Sequence, residues 1–198
     1  MARYGMLINT KKCIGCYACR TACQRQNDLL PDEAFIRFEE REVGTFPSVR
    51  VEHVPLQCMH CEDAPCVSVC PTGAARYGTD GIVEVDQGRC IGCLYCMAAC
   101  PYNARCFNWR EPVRVTGASY GDAAVPERHK GVAEKCTLCK ERTDAGEEPL
   151  CVVCCPAHAR IFGDLDDPDS EISQTILNRR AWALLEDQGT RPSVRYFD

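Results

Sequence analysis

Cysteine spacing constrains this chain more than any other feature. From position 90 to 101 it reads Cys90-Ile-Gly-Cys93-Leu-Tyr-Cys96-Met-Ala-Ala-Cys100-Pro101, four thiols spaced C-x2-C-x2-C-x3-C and followed by proline. Three thiols two residues apart let one tight loop wrap a single polynuclear centre, and the fourth points away to a neighbour. The pattern recurs three times. Cys13, Cys16, Cys19 and Cys23 repeat it with Gln24 in place of the proline, and Cys58, Cys61, Cys66 and Cys70 keep Pro71 but widen the middle gap to four residues. The last copy, Cys136, Cys139, Cys151, Cys155 and Pro156, stretches that gap to eleven and leaves Cys106 and Cys154 over.

Eighteen cysteines in 198 residues approach the density of a secreted disulfide scaffold. Such a scaffold would have to bridge thiols two residues apart within one loop, many times over, and residues 1–10 contain no apolar segment or cleavage site of a secretory leader. Zinc suits two C-x2-C pairs, and the fourth motif alone is compatible with it. The other three each carry a third close cysteine. That spacing is specific to bacterial-type iron–sulfur ferredoxins, in which the last cysteine of a motif ligates the other cluster of a pair. Four 4Fe-4S clusters on sixteen thiolates would take the formal charge from -5 to roughly -13. Cys106 and Cys154 are expected to be small buried hydrophobes.

Pairing then becomes a topological question. The second and third motifs are adjacent and form one pair, and the first and fourth close around them as the other. The expected ligand sets are Cys13, Cys16, Cys19 and Cys155 for cluster one, and Cys136, Cys139, Cys151 and Cys23 for cluster two. Cys58, Cys61, Cys66 and Cys100 serve cluster three, and Cys90, Cys93, Cys96 and Cys70 serve cluster four.

Between the motifs the chain reads as α+β: two bacterial-ferredoxin-like modules, each binding two 4Fe-4S clusters, with an added β-hairpin, a long loop and a C-terminal helix. A strand at 3–9 leads into the first motif, whose helix should continue through Gln24 to Asn27 because proline is missing there. Alternation over 35–43 and 49–54, broken by Gly44 and Pro47, predicts a hairpin. Short strands are expected at 81–86, 159–162 and 193–197, and residues 102–135 read as a surface loop. Apolar residues recurring at three and four from Ser170 to Asp187, with Asp169 or Ser170 as N-cap and Gly189 beyond, predict a helix. The domain division is 1–34 with 131–165 for the first module, 55–101 for the second, 35–54 for the hairpin, 102–130 for the loop and 166–198 for the tail.

No run approaches 18 apolar residues, so no membrane span is expected, and no basic stripe suggests nucleic acid. His60 and His158, beside expected ligands, are candidates to donate a hydrogen bond to sulfur or to face solvent. Lys11, Lys12, Arg20, Arg89, Arg105, Lys135 and Lys140 flank the motifs, where positive charge favours an extra electron on a cluster. No constellation of serine, histidine and carboxylates stands out, so the chain is not expected to be an enzyme on its own.

In order and spacing the motifs resemble those of the four-cluster electron-transfer subunit of molybdopterin oxidoreductases, the dimethyl-sulfoxide-reductase superfamily. This group includes the iron–sulfur subunits of polysulfide, dimethyl sulfoxide and respiratory arsenate reductases and of pyrogallol transhydroxylase. The segments starting at Phe162-Gly-Asp-Leu and Gly189-Thr-Arg-Pro are similar too. The resemblance implies a wire between a molybdopterin (Mo or W) catalytic subunit and an integral membrane quinone-reactive subunit or a soluble donor, with cluster one nearest the catalytic subunit. It further implies a peripheral place at the cytoplasmic membrane, on the extracytoplasmic side by co-export, with the cytoplasm as the alternative. The missing C-terminal membrane helix sets the chain apart from the formate-dehydrogenase type. A free-standing polyferredoxin is the other functional class these motifs allow.

Overall fold

The computed structural model describes residues 2–112 and 121–198, and the middle of the expected loop, 113–120, lies outside them. In chain order its elements are β1 (Tyr4–Asn9), α1 (Ala18–Gln26), β2 (Arg37–Val43), β3 (Arg50–Leu56), α2 (Pro65–Ser68), β4 (Ala75–Tyr77), β5 (Val83–Val85), α3 (Tyr95–Ala98), β6 (Cys106–Phe107), β7 (Ala133–Glu134), α4 (Lys140–Asp144), α5 (Leu150–Val153), β8 (Arg160–Asp164), α6 (Glu171–Asn178) and β9 (Val194–Phe197). It is a mixed α/β structure with small sheets.

Proline sets the length of the motif helices. The fourth cysteine of three motifs precedes Pro71, Pro101 or Pro156, and the helices there, α2, α3 and α5, have four residues each. Proline lacks the N–H a helix needs and pushes the residue before it out of helical geometry. With Gln24 in that place α1 runs for nine residues and is capped at Asn27, as expected. The Gln24 amide also donates to the carbonyls of Leu30, Pro31 and Glu33 at 3.4, 3.2 and 2.6 Å, tying down the next loop. Helix α1 packs on α5, and α2 packs on α3.

β1 is the middle of a three-stranded sheet, antiparallel to β8 and parallel to β9, so the last strand lies beside the first. Alternate residues point to opposite faces. Met6 and Ile8 join the large core that holds the cysteines, while Leu7 packs with Ile172 and Phe197 under α6. The register pairs Ile8 with Arg160 and Tyr196, which puts an arginine on the cysteine face.

The hairpin β2–β3 keeps one continuous register from Arg37 opposite Leu56 to Val43 opposite Arg50. Two expectations need correction. The stretch 102–135 is not simply a surface loop, because its stems pair as β6–β7, extended by hydrogen bonds between Asn108 and Val132 and between Gly131 and Asn108. Arg128 anchors the returning stem through ion pairs to half-buried Glu33 at 2.7 Å and buried Glu134 at 2.9 Å. A two-residue ladder leaves no periodicity to read.

The C-terminal helix is also shorter than its apolar pattern. Ser170 caps it as expected, accepting from Ser173 N–H at 3.3 Å, but the helix ends at Asn178. Trp182 then exchanges two main-chain hydrogen bonds of 2.8 Å with Tyr196, and their rings stack with centroids 5.0 Å apart. That tertiary pairing outweighs the helical preference of residues 179–187.

Candidate iron–sulfur sites

The first C-x-x-C loop of each motif turns through the same backbone position. The residue before the second cysteine is left-handed in all four motifs: Gly15 (φ 64°), His60 (φ 44°), Gly92 (φ 69°) and Leu138 (φ 54°). Glycine is required twice for a second reason. A Cβ on Gly15 would lie 2.6 Å from the His53 ring, and one on Gly92 would lie 2.6 Å from the Gly131 carbonyl. A left-handed residue also recurs three positions after the fourth cysteine, at Gly73, Asn103 and His158. Such turns aim successive N–H groups at one concavity and make an anion-binding nest. The sulfurs receive them: Leu138 N–H donates to Cys136 at 3.4 Å, Ala75 N–H to Cys70 at 3.3 Å and Ala159 N–H to Cys155 at 3.4 Å.

The cysteines gather in the crossed sets. One cavity is lined by Cys13, Cys16, Cys19 and Cys155, and another by Cys58, Cys61, Cys66 and Cys100. A third is lined by Cys70, Cys90, Cys93 and Cys96. The remaining set closes on Cys23, whose thiol is pushed up by burial and then by the neighbouring sulfurs of Cys136, Cys151 and Cys139. Among the described residues no three His, Cys, Asp or Glu side chains are placed to hold one metal ion.

The quartets follow one another in a line. Arg160 donates to Cys19 at 3.6 Å and to Cys151 at 3.9 Å, which joins the first set to the second. Cys136 of the second set lies within electrostatic reach of Cys58 in the third, and Cys96 of the fourth within reach of Cys66 in the third. Burial pushes the thiols of Cys61 and Cys139 up to about 12, so a cationic core, displacing protons, is what would hold them as thiolates.

Arg105 shows what charge the cavities accept. Its side chain is buried at 4 % exposure, and its three guanidinium nitrogens meet no oxygen partner among the described residues and face the sulfur of Cys66 instead. Burial works against its charge, and the sulfurs of Cys66, Cys96 and Cys58 outweigh that, holding its pKa above the usual value. A buried cation needs an anion close by. An all-thiolate donor set around an iron–sulfur core, carrying net negative charge, fits these residues.

The other expected candidates divide. His60 is wholly buried and accepts from Val83 N–H at 3.2 Å, leaving Nε2 without a partner among the described residues, and burial with the Lys135 and Arg105 charges keeps it neutral. His158 is exposed. Lys135 is buried on the Cys136 carbonyl at 2.8 Å, whereas Lys140 pairs with Asp80, Asp144 and Glu84, Arg89 with Asp86, and Lys11 with Asp198. Lys12 is exposed and Arg20 half-buried on the outer surface of the first motif. Cys106 and Cys154 are half-buried, not buried as expected; Cys106 donates to the Ala34 carbonyl at 3.6 Å. Sequence reasoning passed over Arg160. Its signal was an arginine inside the short apolar strand after the fourth motif.

Comparison with known proteins shows the family. Two family models of the 4Fe-4S dicluster domain match, one over residues 49–165 and one over 12–74. The chain belongs to this family. Among curated relatives it is 44 % identical to a protein of Halobacterium salinarum named as a dimethyl sulfoxide reductase iron–sulfur subunit, covering 100 % of this chain and 80 % of the relative. A selenate reductase subunit of Mesobacillus selenatarsenatis is 40 % identical over 96 % of this chain and 70 % of its own length. The arsenate respiratory reductase iron–sulfur subunit of a Shewanella species is 38 % identical over 98 % and 95 %. The chain is thus an iron–sulfur electron-transfer subunit of the molybdopterin oxidoreductase type, non-catalytic by itself. No helix among the described residues is long and apolar enough to cross a membrane.

Proposed function

We propose that the four quartets hold four 4Fe-4S clusters with crossed ligation, and that the chain carries electrons along them in the order one, two, three, four. Cys13, Cys16, Cys19 and Cys155 hold the first, and Cys136, Cys139, Cys151 and Cys23 the second. Cys58, Cys61, Cys66 and Cys100 hold the third, and Cys90, Cys93, Cys96 and Cys70 the fourth. The packing of α1 on α5 and of α2 on α3 supports two ferredoxin-like modules, built from motifs one and four and from motifs two and three.

One observation carries the reading: the second set is buried throughout and the third is buried but for half-buried Cys100, while each end of the line has one exposed cysteine, Cys16 at the first set and Cys93 at the fourth. Electrons enter at one end and leave at the other. We assign the first end to a molybdopterin-containing catalytic subunit and the fourth to a quinone-reactive membrane subunit or a soluble donor. The relatives named for arsenate and selenate reductases and for a menaquinone reductase iron–sulfur protein support such partners. The chain then sits peripherally at the cytoplasmic membrane, exported together with its catalytic partner.

Cys100→Ser tests the crossing. Paramagnetic resonance should show loss or conversion of the cluster held by Cys58, Cys61 and Cys66, with the one held by Cys90, Cys93 and Cys96 intact; the reverse result rejects crossed ligation. Purification from the native source tests the partnership. Elution of the chain alone, without molybdenum or tungsten, would identify a free-standing polyferredoxin.

A further inference from the structure

Two buried arginines occupy equivalent places in the two modules. Arg160 enters from β8 and touches Cys19 of the first quartet and Cys151 of the second. Arg105 precedes β6 and lines both the cavity of Cys58, Cys61, Cys66 and Cys100 and that of Cys70, Cys90, Cys93 and Cys96. Both follow the fourth cysteine of a motif by five residues, Cys155 to Arg160 and Cys100 to Arg105. The equivalent place after Cys70 is Ala75 and after Cys23 is Asp28, so each module has one arginine and not two.

Resting on the four-cluster reading, we infer that Arg105 and Arg160 are positioning residues for electron transfer: each guanidinium is shared by the two clusters of its module and favours the added electron on both. Each faces a charge of about -2 per loaded quartet before an electron is accepted and about -3 after it. No bond forms or breaks in that step and no proton has to move. A cation held in a site of low dielectric favours the more negative state.

The two arginines differ in how much of their charge is left for sulfur. Arg160 also donates to Gln57 Oε1 at 2.7 Å and to Met6 Sδ at 3.2 Å. Arg105 has no such partner among the described residues. Removing Arg105 therefore has the larger effect. The junction between modules is different again, with Lys135 buried on the Cys136 carbonyl and His60 buried between Cys58 and Cys61.

The test is a redox titration of the full chain, purified anaerobically with any subunits that accompany it, monitored by paramagnetic resonance. Iron is counted first: wild type with far fewer than about sixteen iron atoms per chain defeats the four-cluster reading itself. Arg105→Gln should make reduction of both module-two clusters at least tenfold less favourable, about 59 mV for one electron. Arg160→Gln should shift both module-one clusters in the same direction by less. Arg105→Lys, which keeps the charge, should stay within a factor of three of wild type.

The inference is overturned if Arg105→Gln leaves both potentials in place, moves only one of them, or is matched by Arg105→Lys. If Arg105→Gln fails to retain iron, iron content decides. Arg105→Lys retaining all four clusters supports the role of charge, and equal loss in both variants overturns it.

Discussion

The inner and outer quartets use the same loop but treat solvent in opposite ways. Cys23, Cys58, Cys61, Cys66, Cys136, Cys139 and Cys151 are all buried, whereas Cys16 and Cys93 are exposed beside Ile14 and Ile91, which are 63 % and 66 % exposed. The sequence difference is small. The outer loops read Cys-Ile-Gly-Cys, and the inner ones place His60 or Leu138 at the glycine position, both fully or almost fully buried. In the inner loops the side chain at that position is itself buried, whereas in the outer loops the His53 ring and the Gly131 carbonyl stand against the glycine.

The largest effect should come from striking the sealed middle. Cys136→Ser removes a ligand from a wholly buried quartet and leaves three crowded thiols around a site they cannot fill. A loss on the order of 4 kcal/mol is expected, lowering the melting temperature by roughly 10 °C. Cys93→Ser, at an exposed end, should disturb one cluster and cost ~1 kcal/mol. Calorimetry of the two variants decides; equal losses would remove the distinction between middle and ends.

Most of this site was legible because ligand spacing is a covalent property of the chain. The rule that a motif's fourth cysteine serves its partner gives crossed sets, and one cavity each is lined by Cys155 with Cys13, by Cys100 with Cys58 and by Cys70 with Cys90. What was not legible depends on tertiary register. Arg160 reaches the cysteines because it stands opposite Ile8, a pairing 152 residues away in sequence. Residues 179–187 carry a helical pattern, yet Trp182 bridges to Tyr196 and the helix stops. The β6–β7 ladder is too short to show a period.

A second contrast concerns the modules. Gln24 stands where the other motifs have proline, and it supports both a nine-residue helix and the loop at 30–33. Gln24→Pro should break α1 in its interior and cost ~3 kcal/mol, with Cys23 and therefore the second cluster disturbed first. The reciprocal change, Pro101→Gln, gives α3 a residue it can extend through and should alter stability by no more than about 0.5 kcal/mol. Thermal melts read both. If Gln24→Pro proves as mild as its reciprocal, the longer helix is incidental to the first module.

The smallest expected effect separates the two open ends. At the first, the hairpin is held over the loop by Tyr17 donating to Glu40 at 2.7 Å and by His53 against Glu40 at 3.1 Å. The Tyr17 hydrogen bond, then the His53 charge, lower the Glu40 pKa from its ordinary 4.5. At the fourth, Arg76 at 2.9 Å, and then main-chain donors, lower that of Asp86 from 3.8. A carboxylate whose folded pKa is depressed stabilises the fold above its unfolded value and loses that contribution as pH falls through the folded one. Both ends should therefore loosen on acidification, the first beginning below about 4.5 and the fourth below about 3.8. Glu40 is exposed and Asp86 half-exposed, so the changes are small and salt-sensitive. Amide exchange across 37–56 and 75–86, followed from pH 6 downward, should show the hairpin accelerating first. Simultaneous onset would mean that loss of the clusters, not these surface contacts, governs how the ends open in acid.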